Sequence, residues 1–466
     1  MTTTLQKIIY NLPEVKKPVE KKLSFNIKLK WTLIMLISFF VLANINLYGL
    51  SKNALGQLEF LQVILASQFG TIISLGIGPI VMSSIILQLL VGSGILNIDT
   101  KTSEGKRHFQ GLQKIGVIFF IVFESIVYVA MGGLQAEPSL AWGSQILIFQ
   151  LILGGLAIMF MDEVVQKWGF GSGVSLFIVA GVAWSLFNGL FQFIDPSGAN
   201  CLLDFSNTPC VGNVLVIIQS IIIGAPTEAV VAITSILATA LIFLGVVWAQ
   251  ALKVEIPLTY ERIRGYGIKW PLAFFYASVI PVILVSALVA NIQLFGNLLQ
   301  NWLGHPTFLG EFSNGHPIAG LAFWLGSTNI VEAILRGSFQ SIFLWQTIIH
   351  ILFYMVFAAI FSVFWVKTAG MDETSQAKNI LASGLQVPGF RKDPRVLESI
   401  LKRYIMPLTI MGGLAIGFLG SIANVIGALT GGTSILLAVM IMYQLYTSIA
   451  QQHAVDMHPA LRKFMG

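Results

Sequence analysis

The sequence predicts an all-α polytopic membrane protein: ten transmembrane helices in two inverted five-helix halves, with a re-entrant half-helix. Three observations predict it. Only 10% of the 466 residues are charged while 56% are hydrophobic, whereas a soluble globular chain carries roughly 25% charge. Charge so sparse cannot cover a water-facing surface, which excludes a soluble enzyme, a disordered scaffold and a nucleic-acid-binding domain. Ten apolar stretches approach the roughly 20 residues a helix needs to cross a bilayer core, and none alternates as a membrane strand would. The basic residues, finally, collect in alternate loops.

The expected spans are Trp31–Leu50, Ile77–Ile95, Ile115–Leu134, Trp142–Met161, Gly173–Phe193, Ala229–Leu252, Leu272–Asn297, Ile342–Val366, Tyr404–Ile426 and Ser434–Gln451. The first follows a 30-residue tail with seven Lys, unlike a cleavable signal peptide. In that tail Leu5, Ile8, Ile9 and Leu12 are spaced for a short amphipathic helix on the membrane surface; a frayed tail is the alternative. Of the 27 Lys and Arg, all but Lys52 and Arg336 fall in the tails and the loops on the N-terminal side. The positive-inside rule then places both termini in the cytoplasm and supports an even count. Residues 1–30 form an inside tail, 31–193 the first half and 194–228 an outside loop. Residues 229–451 form the second half, with inside loops at 253–270 and 367–403, and 452–466 close the chain inside. Cys201 and Cys210, both in the outside loop, are candidates for a small disulfide or for a pair of unlinked thiols.

Ion-coupled carriers keep several ionisable groups in the membrane. The expected spans hold one carboxylate, Glu124, and one imidazole, His350. Glu124 reads as a functional group or as a hydrogen-bonded structural one, and His350 as a paired core residue. A Ser172–His350 dyad has nothing to position it, and no zinc-protease, aspartyl or P-loop motif is present. No enzyme activity, catalytic residue, metal or cofactor is expected.

Two breaks stand out. Ser74-Leu75-Gly76-Ile77-Gly78-Pro79-Ile80-Val81 opens the second span, so 61–73 is expected to form a separate half-length helix dipping in from outside. Pro281 lies early in the seventh span. Spans two and seven occupy matching places in two sets of five, and five spans per set require the second set to enter from the opposite side. Interrupted spans at matching places mark a pathway near the midplane. Their surroundings are Ile, Val and Leu, which suits an apolar constriction that excludes water and lacks the convergent polar groups of a solute site. Two ordinary proline kinks are the plainer alternative, an inverted-repeat carrier of a small solute the functional one, and an insertase without a pore the third.

Several runs together identify the chain as a member of a family. Leu75–Val81 with Gln88–Ser93, Val254-Glu255-Ile256-Pro257-Leu258, Ala290-Asn291-Ile292-Gln293-Leu294 and Leu401-Lys402-Arg403-Tyr404-Ile405 resemble the SecY family, in its archaeal branch, akin to the eukaryotic Sec61 alpha subunit. The likeness runs from Pro13-Glu14-Val15 to His458-Pro459-Ala460. It implies the pore subunit of a protein-conducting translocon, with an apolar ring at Ile77, Val81, Val174, Ile178, Ile283 and Leu437. It implies a plug at 61–73, with Leu61, Ala66, Phe69, Gly70 and Ile73, and a lateral gate between spans two–three and seven–eight whose polar cluster includes Glu124 and Asn291. Met82 stands where relatives often carry Thr, and Val279 where a relative has Asn, which implies a more apolar gate. Basic loops carrying Arg262, Arg264, Lys269, Arg391, Lys392 and Arg395 resemble ribosome-docking loops, whose cations would meet RNA phosphates; setting topology is their other reading. The implied partners are SecE-type (gamma) and Sec beta-type small membrane subunits, the ribosome, nascent polypeptides and signal sequences, the signal-recognition-particle receptor pathway and membrane lipid. The implied location is the cell membrane.

Overall fold

The computed structural model describes residues 12–19, 23–51, 70–92, 94–96, 98, 102–131, 133–140, 142–193, 200–203, 209–260, 267–277, 280–313, 316–382, 385–386 and 393–457. Among them are nine helices long and apolar enough to cross a membrane, and a shorter apolar one, Gly78–Gly92, at the place of the second expected span. The first set comprises α1 (Phe25–Ala43), α2 (Gly78–Gly92), α3 (Ser103–Ala130), α4 (Gly143–Trp168) and α5 (Gly173–Phe191). A shorter helix, α6 (Asn213–Ile223), leads to α7 (Pro226–Ala251), the first helix of the second set. That set continues with α8 (Ile280–Leu303), α11 (Ile342–Thr368), α13 (Pro394–Ile426) and α14 (Gly432–Met457). Short helices α9 (Gly320–Leu325) and α10 (Ile330–Leu335) precede α11, and α12 (Glu373–Ala382) precedes α13.

Several helices depart from the expected spans for local reasons. The first ends at Ala43 because the chain beyond it pairs elsewhere: Ile72 N–H donates to Ile45 O at 3.0 Å and Leu47 N–H to Gly70 O at 2.8 Å. The third starts at Ser103, its first turn capped by Thr102, whose hydroxyl oxygen accepts Gly105 N–H at 3.0 Å. The fourth runs past Met161 to Trp168 and so carries Asp162 and Glu163 beyond the expected apolar stretch. The seventh begins at Ile280, eight residues later than expected, because Gly267–Ala273 is a strand.

Strands do occur, outside the membrane-crossing helices. β1 (Lys253–Tyr260) pairs antiparallel with β2 (Gly267–Ala273) and with β5 (Leu385–Gln386), while β3 (Glu311–Ser313) pairs with β4 (His316–Ala319). The β1–β2 hairpin packs Ile256 and Leu272 against Leu397, Leu401 and Ile405 of α13, and Tyr276 Oη donates to Met371 O at 2.7 Å. This apolar footing fixes the hairpin against the second set.

Within the first set α3 packs on α2 and α4, and α4 on α1 and α5; within the second, α11 packs on α8 and α13, and α14 on α7 and α13. The two sets meet along two edges. At one, α2 lies against α8 and α11; at the other, α14 lies against α5 and α1. The principal apolar core runs through both sets and includes Ile77, Val81, Ile178, Ile283 and Leu437.

Candidate functional site

Four helices begin where the sets face one another. α2 and α8 each carry proline at their second residue, Pro79 and Pro281. Proline lacks an N–H and has φ preset for the first helical turn, so it starts a helix without cost there. Both breaks are thus helix starts, and Pro281 interrupts nothing. α5 begins at Gly173 and α14 at Gly432. The six candidate ring residues lie just before or within the first two turns of these four helices. Val81 N–H donates to Ile77 O at 3.1 Å, which stacks these two side chains one turn apart. Val174 and Ile178 have the same spacing on α5. Ile77, Val81, Ile178, Ile283 and Leu437 are buried, and half-buried Val174 packs against the same cluster. Six branched apolar side chains from four separate helices meet in one core, a surface that repels water and offers no ligand to a solute.

Above the waist, 70–77 is a run of turns. Gly70 has φ +87°, and Thr71 bridges Asn46. Ile73 and Leu75 are fully buried. Gly154 on α4 admits this backbone: a Cβ there would stand 1.8 Å from Ile72 O. Gly70 and Ile73 are therefore not helical, a correction to the expected 61–73 half-helix with a physical cause, because Gly70 is left-handed and its neighbours pair with 45–47. Leu61, Ala66 and Phe69 lie outside the described residues, as do Leu5, Ile8 and Ile9 of the tail.

At the α2–α3/α8–α11 edge two contacts of aromatic side chains are in place. The Phe123 and Phe295 rings join α3 to α8 with centroids 6.3 Å apart, and Phe364 of α11 lies against Gly92 of α2. Met82 is half-buried; Glu124 and Asn291 are buried. The two do not bond each other: Asn291 Nδ2 donates to Ala287 O of its own helix at 2.8 Å, and Glu124 Oε1 has no hydrogen-bond partner among the described residues. Gln88 Oε1 on α2 is likewise buried without one. Val279 lies outside the described residues. His350 is the paired core residue expected: Nδ1 meets Leu325 O at 2.7 Å and Nε2 meets Asn424 Nδ2 at 3.5 Å, leaving neither nitrogen for Ser172.

In the β1–β2 hairpin, Lys269 of β2 pairs with Glu255 of β1 at 2.7 Å, both exposed, and this contact raises the lysine's pKa. Arg395 opens α13, where Asp393 accepts its N–H at 2.9 Å. Arg262, Arg264, Arg391 and Lys392 lie outside the described residues. Between α5 and α6, Cys201 and Cys210 form a disulfide with Cα atoms 5.3 Å apart, which resolves the two readings of that pair. Sequence reasoning missed Asp162, which touches the start of α5. A usable signal was there: Ile158, Met161, Asp162 and Val165 fall at i, i+3, i+4 and i+7, one buried face of a continuing helix.

Comparison with known proteins accounts for this arrangement. The SecY family matches residues 71–446, and a family described as the plug domain of Sec61p matches residues 37–70. The protein translocase subunit SecY of Methanothermobacter thermautotrophicus is 42% identical over 462 residues, covering 98% of this chain and 97% of that one. A solved structure described as that of a protein conducting channel superposes with a TM-score of 0.81 at 38% identity, covering 97% and 98% of the two chains. Sec61 in the canine ribosome-channel complex from the endoplasmic reticulum gives 0.78 at 36%, again over 97% and 98%. The chain is a multi-pass membrane protein that belongs to the SecY family of protein translocase subunits.

Proposed function

We propose that the apolar waist is the constriction through which this chain passes unfolded polypeptides across the membrane, and that the α2–α3/α8–α11 edge is the gate through which apolar segments leave for lipid. The observation that carries the reading is the convergence of six uncharged branched side chains from four helix starts. An extended chain can part such a collar and the collar can close behind it, since neither step breaks a hydrogen bond. Segments 61–73 cover the waist from outside until substrate displaces them. A long apolar segment held at the waist gains roughly 25 cal/mol for each Å² it moves from water into lipid, so hydrophobicity sorts what crosses from what leaves sideways.

The basic inside loops, with Lys269 and Arg395 as their described members, dock the ribosome through phosphate contacts. Basic-residue asymmetry supports cytoplasmic termini in the cell membrane. The small SecE-type and Sec beta-type subunits and the signal-recognition-particle receptor pathway complete the proposed machinery. The test is single-channel recording on the purified protein with its SecE-type partner, before and after deletion of 61–73. A silent channel that flickers open on deletion supports a plugged, water-fillable pore. Silence in both, with folded protein, overturns it.

A further inference from the structure

Two of the four helices that build the waist have no cap of their own, and each borrows one. α5 begins after Ser172, whose side chain makes no capping bond. Val174 N–H instead donates to Oδ1 of Asp162, on α4, at 2.9 Å. Asp162 is 7% exposed, and its other oxygen is held by Gln166 Nε2 at 2.7 Å, which fixes the carboxylate's orientation. Gly173 lets the two helices close: a Cβ there would stand 2.5 Å from Asp162 Cα. α14, in the matching fifth place of the second set, repeats the device. Thr433 N–H donates to Asn424 Oδ1, on α13, at 3.0 Å, and the Thr433 hydroxyl reaches the same oxygen at 3.3 Å. Asn424 is held in turn by His350, and Gly432 is the close-approach residue, since a Cβ there would stand 1.9 Å from the Ala423 carbonyl carbon.

In both cases the capped N–H belongs to, or lies one turn before, a waist residue. Val174 is itself one, and Leu437 follows Thr433 by four positions, on the same helix face. Such caps fix where a helix begins and how its first turn is wound. We infer that Asp162 and Asn424 are positioning residues of the constriction, setting the register in which Val174, Ile178 and Leu437 meet. This inference rests on the pore reading, and it adds that the seal depends on two polar side chains that are not part of the collar.

The test is ion flux from loaded vesicles carrying the channel with its SecE-type partner, compared across Asp162→Ala, Asp162→Asn, Asn424→Ala and Asn424→Asp, with Ile77→Gly as a leak control. Loss of a cap shifts the closed-to-open balance by about fivefold. Flux should therefore rise about that much in the two alanine variants. The conservative variants, which keep an acceptor oxygen, should stay near wild type. Should an alanine variant fail to fold, Asp162→Glu, which moves the acceptor by one methylene, must leak. A leaking Ile77→Gly channel beside tight, folded alanine variants overturns the inference and leaves the pore intact. A tight Ile77→Gly channel overturns the pore reading, and this inference falls with it.

Discussion

Two seams in the molecule are built in opposite ways. Between α11 and α13 the backbones touch. A Cβ at Gly417 would lie 2.5 Å from Tyr354 O and 2.8 Å from Met355 Cα, and one at Gly413 would lie 2.6 Å from Ser362 Oγ and 2.8 Å from Ala359 Cα. Gly413 and Gly417 stand four residues apart on one face; Gly413 lies against Ala358, Ala359 and Ser362 and Gly417 against the backbone of Tyr354 and Met355, the close approach that small residues give membrane helices. Between α2–α3 and α8–α11 one ring pair, Phe123 on Phe295, joins α3 to α8, and the Phe364 side chain lies against Gly92. On α3 and α2, Glu124 Oε1 and Gln88 Oε1 are buried without hydrogen bonds among the described residues. Side-chain contacts can slide where backbone contacts cannot, and unsatisfied polar atoms lower the cost of separation. The comparison supports the proposal that the α2–α3/α8–α11 seam is the one that opens.

The largest effect should come from wedging the tight seam. Gly417→Leu forces α11 and α13 apart against rigid backbone, and overpacking of this kind costs about 1–3 kcal/mol or more. Thermal unfolding of the detergent-solubilised protein should show a clear fall in midpoint. The matched change at the loose seam, Gly92→Ala, meets the Phe364 ring, with Cδ1 2.7 Å from the added carbon, and the ring can turn. Its midpoint should hardly move. Equal losses in the two variants would erase the distinction.

A smaller and opposite effect should follow at Glu124. Replacing it with Leu removes a buried oxygen that has no partner and fills the space with apolar surface. Relief of such a group is worth about 1–3 kcal/mol, and all of it favours the closed seam. Glu124→Leu should raise the unfolding midpoint while demanding a more hydrophobic segment before lateral release, read as the apolarity threshold for membrane integration of a graded series. A lowered threshold would mean that Glu124 holds the gate shut through a contact absent from the closed structure.

How much of this was legible in the chain follows from what each feature depends on. The spans rest on composition and order along the sequence, and of the proposed collar residues Ile77, Val81, Ile178, Ile283 and Leu437 share one core. The reading of Pro281 as an interruption failed because proline breaks a helix or begins one according to where the preceding residues go, and Gly267–Ala273 goes into a strand. The caps were illegible for a different reason. Asp162 and Asn424 act on N–H groups 12 and 9 positions further along the chain, across a tight turn whose closure only three-dimensional packing reveals. A gate cluster including Glu124 and Asn291 was implied by the family resemblance, yet Asn291 is satisfied within its own helix.

A third seam, between α3 and α4, sharpens the contrast at the smallest scale. Lys114 of α3 and Lys167 of α4 both grip Glu163, at 2.9 and 2.8 Å, and the inside tail lies across them: Glu14 reaches Lys167 at 2.6 Å and Trp168 Nε1 donates to Lys16 O at 2.9 Å. The seam is ionic and partly exposed, so it should be tuned by pH. Hydrogen bonding to Lys167 holds the Glu14 carboxyl below its ordinary value. A carboxylate with a lowered folded pKa stabilises the fold fully above its unfolded value and loses that contribution as pH falls through the folded one. The strap should therefore be intact at neutral pH and release only in acid, below the ordinary carboxylate range. For a pair this exposed the contribution is under about 1 kcal/mol. Glu14→Gln should shift the unfolding midpoint slightly at pH 7 and in low salt, and the difference from wild type should vanish in acid or high salt. A difference that survives both would make the contact one of packing, and α3 would be tied to α4 as firmly as α11 is to α13.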